Sequence, residues 1–445
     1  MSNKYSVIIP TFNEKYFISR NIERIKLLFL DAEIIVSDGG SFDGTIEVCK
    51  QYGVKIVKSG LGRGQQLNAG ASIASGDILI FLHADTFLPG NAAKILFNAF
   101  SDEKVKVARF KVSFDFNNKL LDFYSKFSKF NTRFTRFGDS AIIVRKDFFK
   151  NLNGFSNRET FEDVDFFKRT SKLTKIFLID AYVSSSARRF IKVGVFKQQL
   201  LNILLFIGYI FRVNSKTLSR LYNKSNKVKV KKALILFLRY PKAGTVKTRL
   251  AETTSSDFAV NFYRSCAEKI VGIAKSIEGI NRFAFYSNNN EKQVISDWLG
   301  NKLFFSVQEG DDLGSRMKNA FEKVFSSGSE KVIIVGTDIP DLSKKIIEQA
   351  FNSIEENDVV IGPSKDGGYY LLGMKKMVYD LFGGIEFSND KVYSKTIKKL
   401  NNLNLRYDSL PLLQDIDTEE DLINWLNEKS NNKIKKEIKL AYKTI

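Results

Sequence analysis

GDILIFLHAD, residues 76–85, runs from a small-residue turn through five consecutive large apolar residues, Ile78 to Leu82, to His83, Ala84 and Asp85. A short apolar run bounded by turns fits a strand buried on both faces, in the middle of a parallel sheet, although periodicity alone also admits a buried helical segment. In open α/β sheets ligands bind beyond the carboxyl ends of the strands, which puts Asp85 where a ligand or its metal ion is expected. An Asp that only ends its strand or caps the next turn is the competing reading.

Working outward, SVIIP (residues 6–10) and AEIIVSD (residues 32–38) read as two more buried strands, and VKIVKS (residues 54–59) as a third. Between the first two, apolar residues at Phe17, Ile18, Ile22, Ile25, Leu28 and Phe29 recur at helical spacing, and Thr45 to Tyr52 forms a second helix. Alternating strand and helix predicts βαβ units and a parallel sheet. Asp38 and Asp85 both end apolar strands, and such ends can converge on one crevice, which points to a nucleotide site. GLGRGQQLNAGA, Gly60 to Ala71, has glycines that permit close backbone approach and an Arg63 suited to phosphate. It lacks the Lys-Ser/Thr ending of a P-loop and the dinucleotide spacing after the first strand, so neither motif is assigned.

The chain has 445 residues, which suggests two or three domains, and 44% hydrophobic with 27% charged residues is ordinary for a globular protein. Cys49 and Cys266 are the only cysteines and form no CxxC pair, so neither a disulfide framework nor a thiolate zinc site is supported and a reducing cytoplasm is expected. The N-terminal apolar run is too short for a signal peptide. The net charge of +20 is uneven: residues 1–100 hold 10 Lys+Arg against 9 Asp+Glu, residues 101–232 hold 29 against 11, and residues 233–445 hold 30 against 29. The basic middle segment is expected to face something anionic. With no helix-turn-helix, zinc-finger or RNP-type pattern, nucleic acid is not the expected partner, which leaves an anionic membrane surface or a phosphorylated acceptor. Within that segment Leu200 to Phe211 is apolar apart from Asn202, Gly208 and the Tyr209 hydroxyl. Its 12 residues fall short of the roughly 20 needed to span a bilayer. It reads either as a helix lying at the inner face of the membrane or as one packed on a neighbouring domain.

VIIPTFNE, VSDGGSFDGT, HAD and FED (Phe161 to Asp163), in that order, resemble a family 2 glycosyltransferase of the GT-A fold, with His83-Ala84-Asp85 standing where many members have Asp-x-Asp. GRGQQLNAGA, FGDSAIIVRKDFF, LNGF and SARRF are similar to the subgroup of radical-SAM/selenodomain-associated transferases, over about residues 4–220. The resemblance implies that Pro10, Thr11, Asn13 and Glu14, with Asp38, hold the base and ribose of a nucleotide-sugar donor. It implies that Asp85 ligates Mg²⁺ or Mn²⁺ on the diphosphate, and that Asp163, supported by Glu162, is the base that deprotonates the acceptor hydroxyl, giving inversion. The expected acceptor is a hydroxyl compound, a lipid-linked or phosphorylated one being compatible with the basic middle segment. The chemistry agrees, since a leaving diphosphate gains charge that a divalent ion stabilises while a carboxylate takes the acceptor proton. Arg188 and Arg189 resemble the family's Arg-aromatic motif near the diphosphate or acceptor, a solvated basic pair being the other reading. His83 is the only histidine, which rules out schemes needing two and leaves it a structural role more readily than a ligand's.

Residues 1–224 are therefore read as one GT-A domain ending in basic and apolar helices, 225–232 (SNKVKVKK) as a linker, 233–428 as a second domain and 429–445 as a charged tail with little to bury. The second domain restarts the pattern. ALILFL ends in a loop carrying Lys242, Gly244, Lys247 and Arg249, VIIVGTDIPDL is an apolar strand ending at Asp338, and Asp366 stands at a Gly-Gly turn. RYPKAGTVKTRLA, GDDLGSRM, GTDIPDL, DGGYYLLG and DIDTEEDL resemble a second radical-SAM/selenodomain-associated transferase family with a nucleotidyltransferase-like GT-A fold. The resemblance implies Lys242, Gly244, Lys247, Arg249 and Asp366 as nucleotide-binding residues and Asp338 as a metal ligand. Asp415 and Asp417 suit metal work, or else Asp417 or Thr418 caps the helix near Glu419. The expected architecture is thus α/β, with two tandem GT-A-type domains. The expected function is a metal-dependent inverting glycosyltransferase fused to a nucleotide-binding transferase, with a nucleotidyltransferase making the activated sugar, or a non-catalytic binding half, as alternatives.

Overall fold

The computed structural model describes residues 4–132, 135–136, 138–226, 230–300, 302–387, 389–428 and 433–443. The chain divides into two compact units, Met1–Asp115 with Lys119–Lys227, and Phe116–Asn118 with Val228–Ile445.

The N-terminal unit is built on eight strands: β1 (Tyr5–Thr11), β2 (Glu33–Asp38), β3 (Lys55–Lys58), β4 (Ile78–Phe81), β5 (Thr86–Phe87), β6 (Val107–Phe114), β7 (Ile142–Arg145) and β8 (Ile176–Ser185). Their order is β3-β2-β1-β4-β7-β6-β8-β5, with β1, β2, β3 and β4 parallel and β7 antiparallel to both neighbours. The GDILIFLHAD run is central because its pleat feeds two cores. Ile78, Ile80 and Leu82 join Val7, Ile9, Ile18 and Ile22 on one face, while Leu79 and Phe81 join Ile8, Ile35 and Leu67 on the other. The Arg63–Ile73 helix lies directly on β1, where a Cβ at Gly70 would come within 2.4 Å of Ile8 Cγ2.

The C-terminal unit has seven strands: β9 (Val230–Leu238), β10 (Ile280–Tyr286), β11 (Phe304–Val307), β12 (Ser329–Gly336), β13 (Val359–Pro363), β14 (Tyr369–Met374) and β15 (Tyr407–Ser409). Their order, β11-β10-β9-β12-β14-β13-β15, repeats the first seven positions of the N-terminal sheet, including the antiparallel β14 in the place of β7, and among the described residues only the edge strand β5 lacks a counterpart. Both units are mostly parallel, Rossmann-like sheets of the GT-A type.

Two stretches differ from the sequence reading. The stretch 225–232 is expected as a linker, but β9 already begins at Val230 and pairs with Ser329 of β12; residues 227–229 lie outside the described set. The stretch 429–445 is expected as a tail with little to bury, yet Lys433–Tyr442 is a helix. Its Ile438 is buried with Phe258 and Trp425, and Lys435 Nζ stands 5.0 Å from the Trp425 ring centroid. Three apolar residues spaced along ten, Ile434, Ile438 and Tyr442, suffice to dock it. Residues 429–432 and 444–445 are outside the described set. Among the described residues no helix is long and apolar enough to cross a membrane.

Candidate active sites of the two units

In each sheet the strand order reverses between two parallel neighbours, β1 and β4 or β9 and β12, and the loops leaving their carboxyl ends frame a crevice. After β1, Asn13 takes a left-handed φ of 57°, its backbone N–H donating to Ser41 Oγ and its side-chain oxygen accepting from the Phe42 N–H. After β2, Asp38 turns into its own loop. Its oxygens accept from Thr11 Oγ1 (2.9 Å), Ser41 Oγ (2.6 Å) and the N–H groups of Gly40 and Ser41 (2.8 Å each). Burial raises its pKa, but these four donors more than offset that and hold the carboxyl below its ordinary range. Asp38 therefore shapes the loop with both oxygens occupied. Pro10 and Thr11 are β1 residues facing the end of β2, and Gln66 ties the two strands by donating to the carbonyls of Thr11 and Ser37.

After β4, the His83-Ala84-Asp85 loop is pinned by Asn21, whose amide donates to the carbonyls of His83, Ala84 and Thr86 at 2.9–3.1 Å. Sequence reasoning passed over Asn21, although a polar residue within the Phe17-Ile18-Ile22-Ile25 face of a helix was a readable signal. His83 Nδ1 lies 3.0 Å from Asp139 Oδ1, a partner separated by too much sequence to be foreseen. Arg188 joins three elements: its guanidinium donates twice to Glu14, stands 2.9 Å from Asp85 Oδ2 and stacks 5.1 Å from the Phe17 ring centroid. Burial disfavours its charge, and Asp85 and Glu14 restore it. Arg189 stacks on Tyr222, at 4.7 Å, and burial followed by the nearby Arg63 and Arg188 brings its pKa down to about 10.

The Glu162–Thr170 helix delivers the remaining carboxylates, and the residue ahead of it, Phe161, holds a left-handed φ of 63°. Glu162 is 3% exposed, and burial and then the Asp163 charge push its carboxyl up to about 7 against the pull of Arg63. Arg63, at the start of its helix, is within electrostatic reach of Glu162, Asp139, Asp163 and Asp85 together. That proximity depends on Gly64, where a Cβ would stand 2.7 Å from the Ser156 carbonyl oxygen and 3.4 Å from Glu162 Cβ. The structure thus brings Glu14, Arg63, Asp85, Glu162, Asp163, Arg188 and Arg189 to one crevice, whereas the Asp38 oxygens are taken up by Thr11 and the Gly40–Ser41 turn.

The C-terminal unit holds a cavity of about 700 Å³ lined by Lys247, Arg249, Asp338, Asp366, Asp415 and Asp417 among others. Lys247, at a left-handed φ of 46°, is 4% exposed by side chain, and its ammonium lies 3.0 Å from Asp338 and 2.7 Å from Asp417. Burial opposes its charge, and the two carboxylates raise its pKa overall. Arg249 donates to Asp417 at 2.5 Å. Asp417 is free for this because Thr418 caps the next helix, forming a reciprocal capping box with Asp421. Asp366 accepts from Ser364 Oγ and from the Gly368 N–H at 3.0 Å. Burial, then Asp366 and Asp417, push the Asp415 carboxyl up to about 6. Lys242 and Gly244 were expected in this site but lie on an exposed turn before it, where the Lys242 carbonyl accepts from Thr245 and Gly244 supplies a φ of 76°. Arg239 and Arg316 line the cavity without having been singled out, although Arg316 sits in the GDDLGSRM string.

Among the described residues no group of three or more His, Cys, Asp or Glu is arranged to hold a metal ion on protein atoms alone. Hard divalent ions, however, take one or two carboxylates and complete their shell with phosphates and water. Asp85 offers one such carboxylate, and Asp338 with Asp417 offers two around a position already filled by an ammonium. Both donor sets fit an ion that arrives with a nucleotide.

Two GT-A-type units, each with acidic and basic residues at the sheet's reversal point, define nucleotide-using transferases. The family profile for glycosyl transferase family 2 matches residues 6–150, and that of a family described as an uncharacterized protein conserved in bacteria matches residues 273–389. The chain belongs, through its C-terminal unit, with the relatives of 2-phospho-L-lactate guanylyltransferase, and its N-terminal unit carries the glycosyl transferase family 2 profile. The Methanocaldococcus jannaschii enzyme of that name is 30% identical over 185 residues, 40% of this chain and 75% of its own. A solved structure from Desulfovibrio desulfuricans G20, described as a nucleotide-diphospho-sugar transferase, is 33% identical, covers 46% of this chain and 89% of its own, and has a TM-score of 0.44. Glucosyl-3-phosphoglycerate synthase from Mycobacterium tuberculosis, solved with Mn²⁺, UDP and glucosyl-3-phosphoglycerate, is 18% identical over 46% of this chain and 79% of its own, with a TM-score of 0.34. The N-terminal unit is a glycosyltransferase, joined to a nucleotidyltransferase-like unit.

Proposed function

We propose that the N-terminal unit is an inverting enzyme that moves a sugar from a nucleotide-diphosphate donor to the hydroxyl of a phosphorylated or lipid-linked acceptor. The observation that carries this reading is the single crevice in which Arg63 reaches Asp85, Glu162 and Asp163 while Arg188 bridges Glu14 and Asp85. Pro10, Thr11, Asn13 and Glu14 line the donor side, with Asp38 fixing their loop. Arg63, Arg188 and Arg189 hold the diphosphate by charge-assisted hydrogen bonds. Asp85 would hold Mg²⁺ or Mn²⁺, which would supply positive charge to the departing diphosphate. Asp163 takes the hydroxyl proton as the oxygen attacks the anomeric carbon, and the carbon–oxygen bond to the diphosphate breaks with its electron pair going to the leaving group. Glu162, whose carboxyl burial and the Asp163 charge push up to about 7, positions Asp163.

For the C-terminal unit we propose nucleotidyl transfer: Lys247 and Arg249 hold a nucleoside triphosphate, Asp338 and Asp417 hold the divalent ion, and a phosphorylated acceptor displaces pyrophosphate. Both units act in one cytoplasmic sequence, the second making or modifying the activated donor that the first consumes. The test of the N-terminal assignment is an Asp163→Asn protein assayed for donor binding by thermal shift and for transfer. Expected is unchanged binding with transfer lowered about 10²–10⁴-fold; unchanged turnover ends the assignment. For the C-terminal unit, failure to release pyrophosphate from any nucleoside triphosphate across a panel of sugar phosphates and phosphorylated hydroxy acids counts against it.

A further inference from the structure

The Val195–Ile210 helix follows directly on the segment that carries Arg188 and Arg189 into the crevice. Its inner face, Val195, Gln198 and Leu205, is buried, and Phe206 and Tyr209 meet the ring of Phe161, the residue ahead of Glu162 and Asp163. Its outer face is a single apolar stripe. Phe196, Leu200, Ile203, Ile207, Ile210 and Phe211 follow the helical repeat and are 43–79% exposed. Beside it packs the Lys119–Phe127 helix, which adds Phe123, Phe127 and the following Phe130, each about half exposed. Exposed Lys126, Lys129, Lys197, Arg212, Lys216 and Arg220 flank the two helices, whose only acid is Asp122. No Asp or Glu occurs between Asp180 and Glu252.

We propose that this two-helix face docks on an anionic lipid surface, which brings a lipid-borne acceptor hydroxyl to Asp163; it rests on the glycosyltransferase reading above. Three observations select lipid. A contiguous apolar face rimmed by cations matches the acyl boundary and the anionic headgroups at once. A 16-residue helix is about 24 Å long, too short to span the bilayer, so it lies in the interface plane. A symmetric pair of chains meeting through this face would bring two basic patches against each other, which like-charge repulsion opposes.

The test is cosedimentation of the full-length chain with vesicles of phosphatidylcholine alone and of phosphatidylcholine containing about one-third phosphatidylglycerol. Expected is binding to the anionic vesicles only, weakened at least about tenfold on raising salt to about 0.5 M. Ile203→Asp with Ile207→Asp is expected to abolish binding while leaving the thermal shift with nucleotide sugar unchanged. If that protein melts early, Lys197→Glu with Arg212→Glu serves in its place. Absence of binding at low salt, binding indifferent to these substitutions, or a wild-type dimer that the Asp pair converts to monomer each overturns the proposal. Donor binding measured without vesicles separates the two readings, because its absence refutes the glycosyltransferase assignment and leaves the vesicle result intact.

Discussion

Glu162 shows how the crevice stores charge. Its carboxyl sits at about 7 in the folded protein because burial and Asp163 favour the neutral form. Its folded pKa is raised above the unfolded value, so its contribution to stability is full below pH 4.5 and is lost as pH rises through about 7. Glu162→Gln, which keeps the shape without the charge, is expected to stabilise the protein at pH 8 by on the order of 2–3 kcal/mol and to do little at pH 4. Urea unfolding at both pH values measures this, and an equal offset at the two would show that titration is not the cause. Lys247 poses the opposite problem, a buried cation holding two carboxylates together. Lys247→Ala leaves Asp338, Asp415 and Asp417 facing one another, and a loss of about 1–3 kcal/mol is expected, discounted for the partial exposure of the acids. Millimolar Mg²⁺ should raise the melting temperature of this variant more than that of the wild type, because an added cation takes the vacated position. Equal shifts would argue against a metal role for Asp338 and Asp417.

The strands and the ends they present are legible in the sequence. Ile78 to Leu82 read as central because five apolar residues between turns leave no polar face, and Asp38, Asp85 and Asp338 were found by asking what stands after such runs. The partners of those residues were not legible. His83 meets Asp139, Arg188 meets Glu14 and Lys247 meets Asp417 across 56 to 174 positions of chain, distances that only the sheet order collapses. The terminal helix was missed for a related reason: Ile434, Ile438 and Tyr442 look sparse until Phe258 and Trp425 are there to receive them. The glycine-rich helix was read as a phosphate approach, and its glycines turn out to serve packing. Gly70→Ala puts a methyl 2.4 Å from Ile8 Cγ2 on the central strand, and a destabilisation of about 1–3 kcal/mol is expected. Chemical denaturation measures it, and a neutral result would mean that the helix can slide on β1.

The same strand order recurs in both halves of the chain, yet the two crevices are equipped differently. The N-terminal one concentrates arginines around the buried Glu162 and the half-buried Asp163, as suits a preformed diphosphate whose departure must be stabilised while a hydroxyl is deprotonated. The C-terminal one concentrates aspartates around a lysine, as suits a triphosphate that arrives with its own cation. Every residue assigned to the first site belongs to Met1–Asp115 or Lys119–Lys227, and every residue assigned to the second to Val228–Ile445. Substitutions with no shared partners act additively, so Asp163→Asn is expected to leave nucleotidyl transfer within about twofold of wild type, and Lys247→Ala to leave sugar transfer from a supplied donor equally untouched. The combined variant should lose both activities and nothing more. Assays of each half-reaction with its own substrates in the three full-length proteins decide this. A loss of sugar transfer in Lys247→Ala despite saturating donor would mean that the first site takes its donor only from the second, and the reading of two separately complete sites would have to give way to one of direct transfer between them.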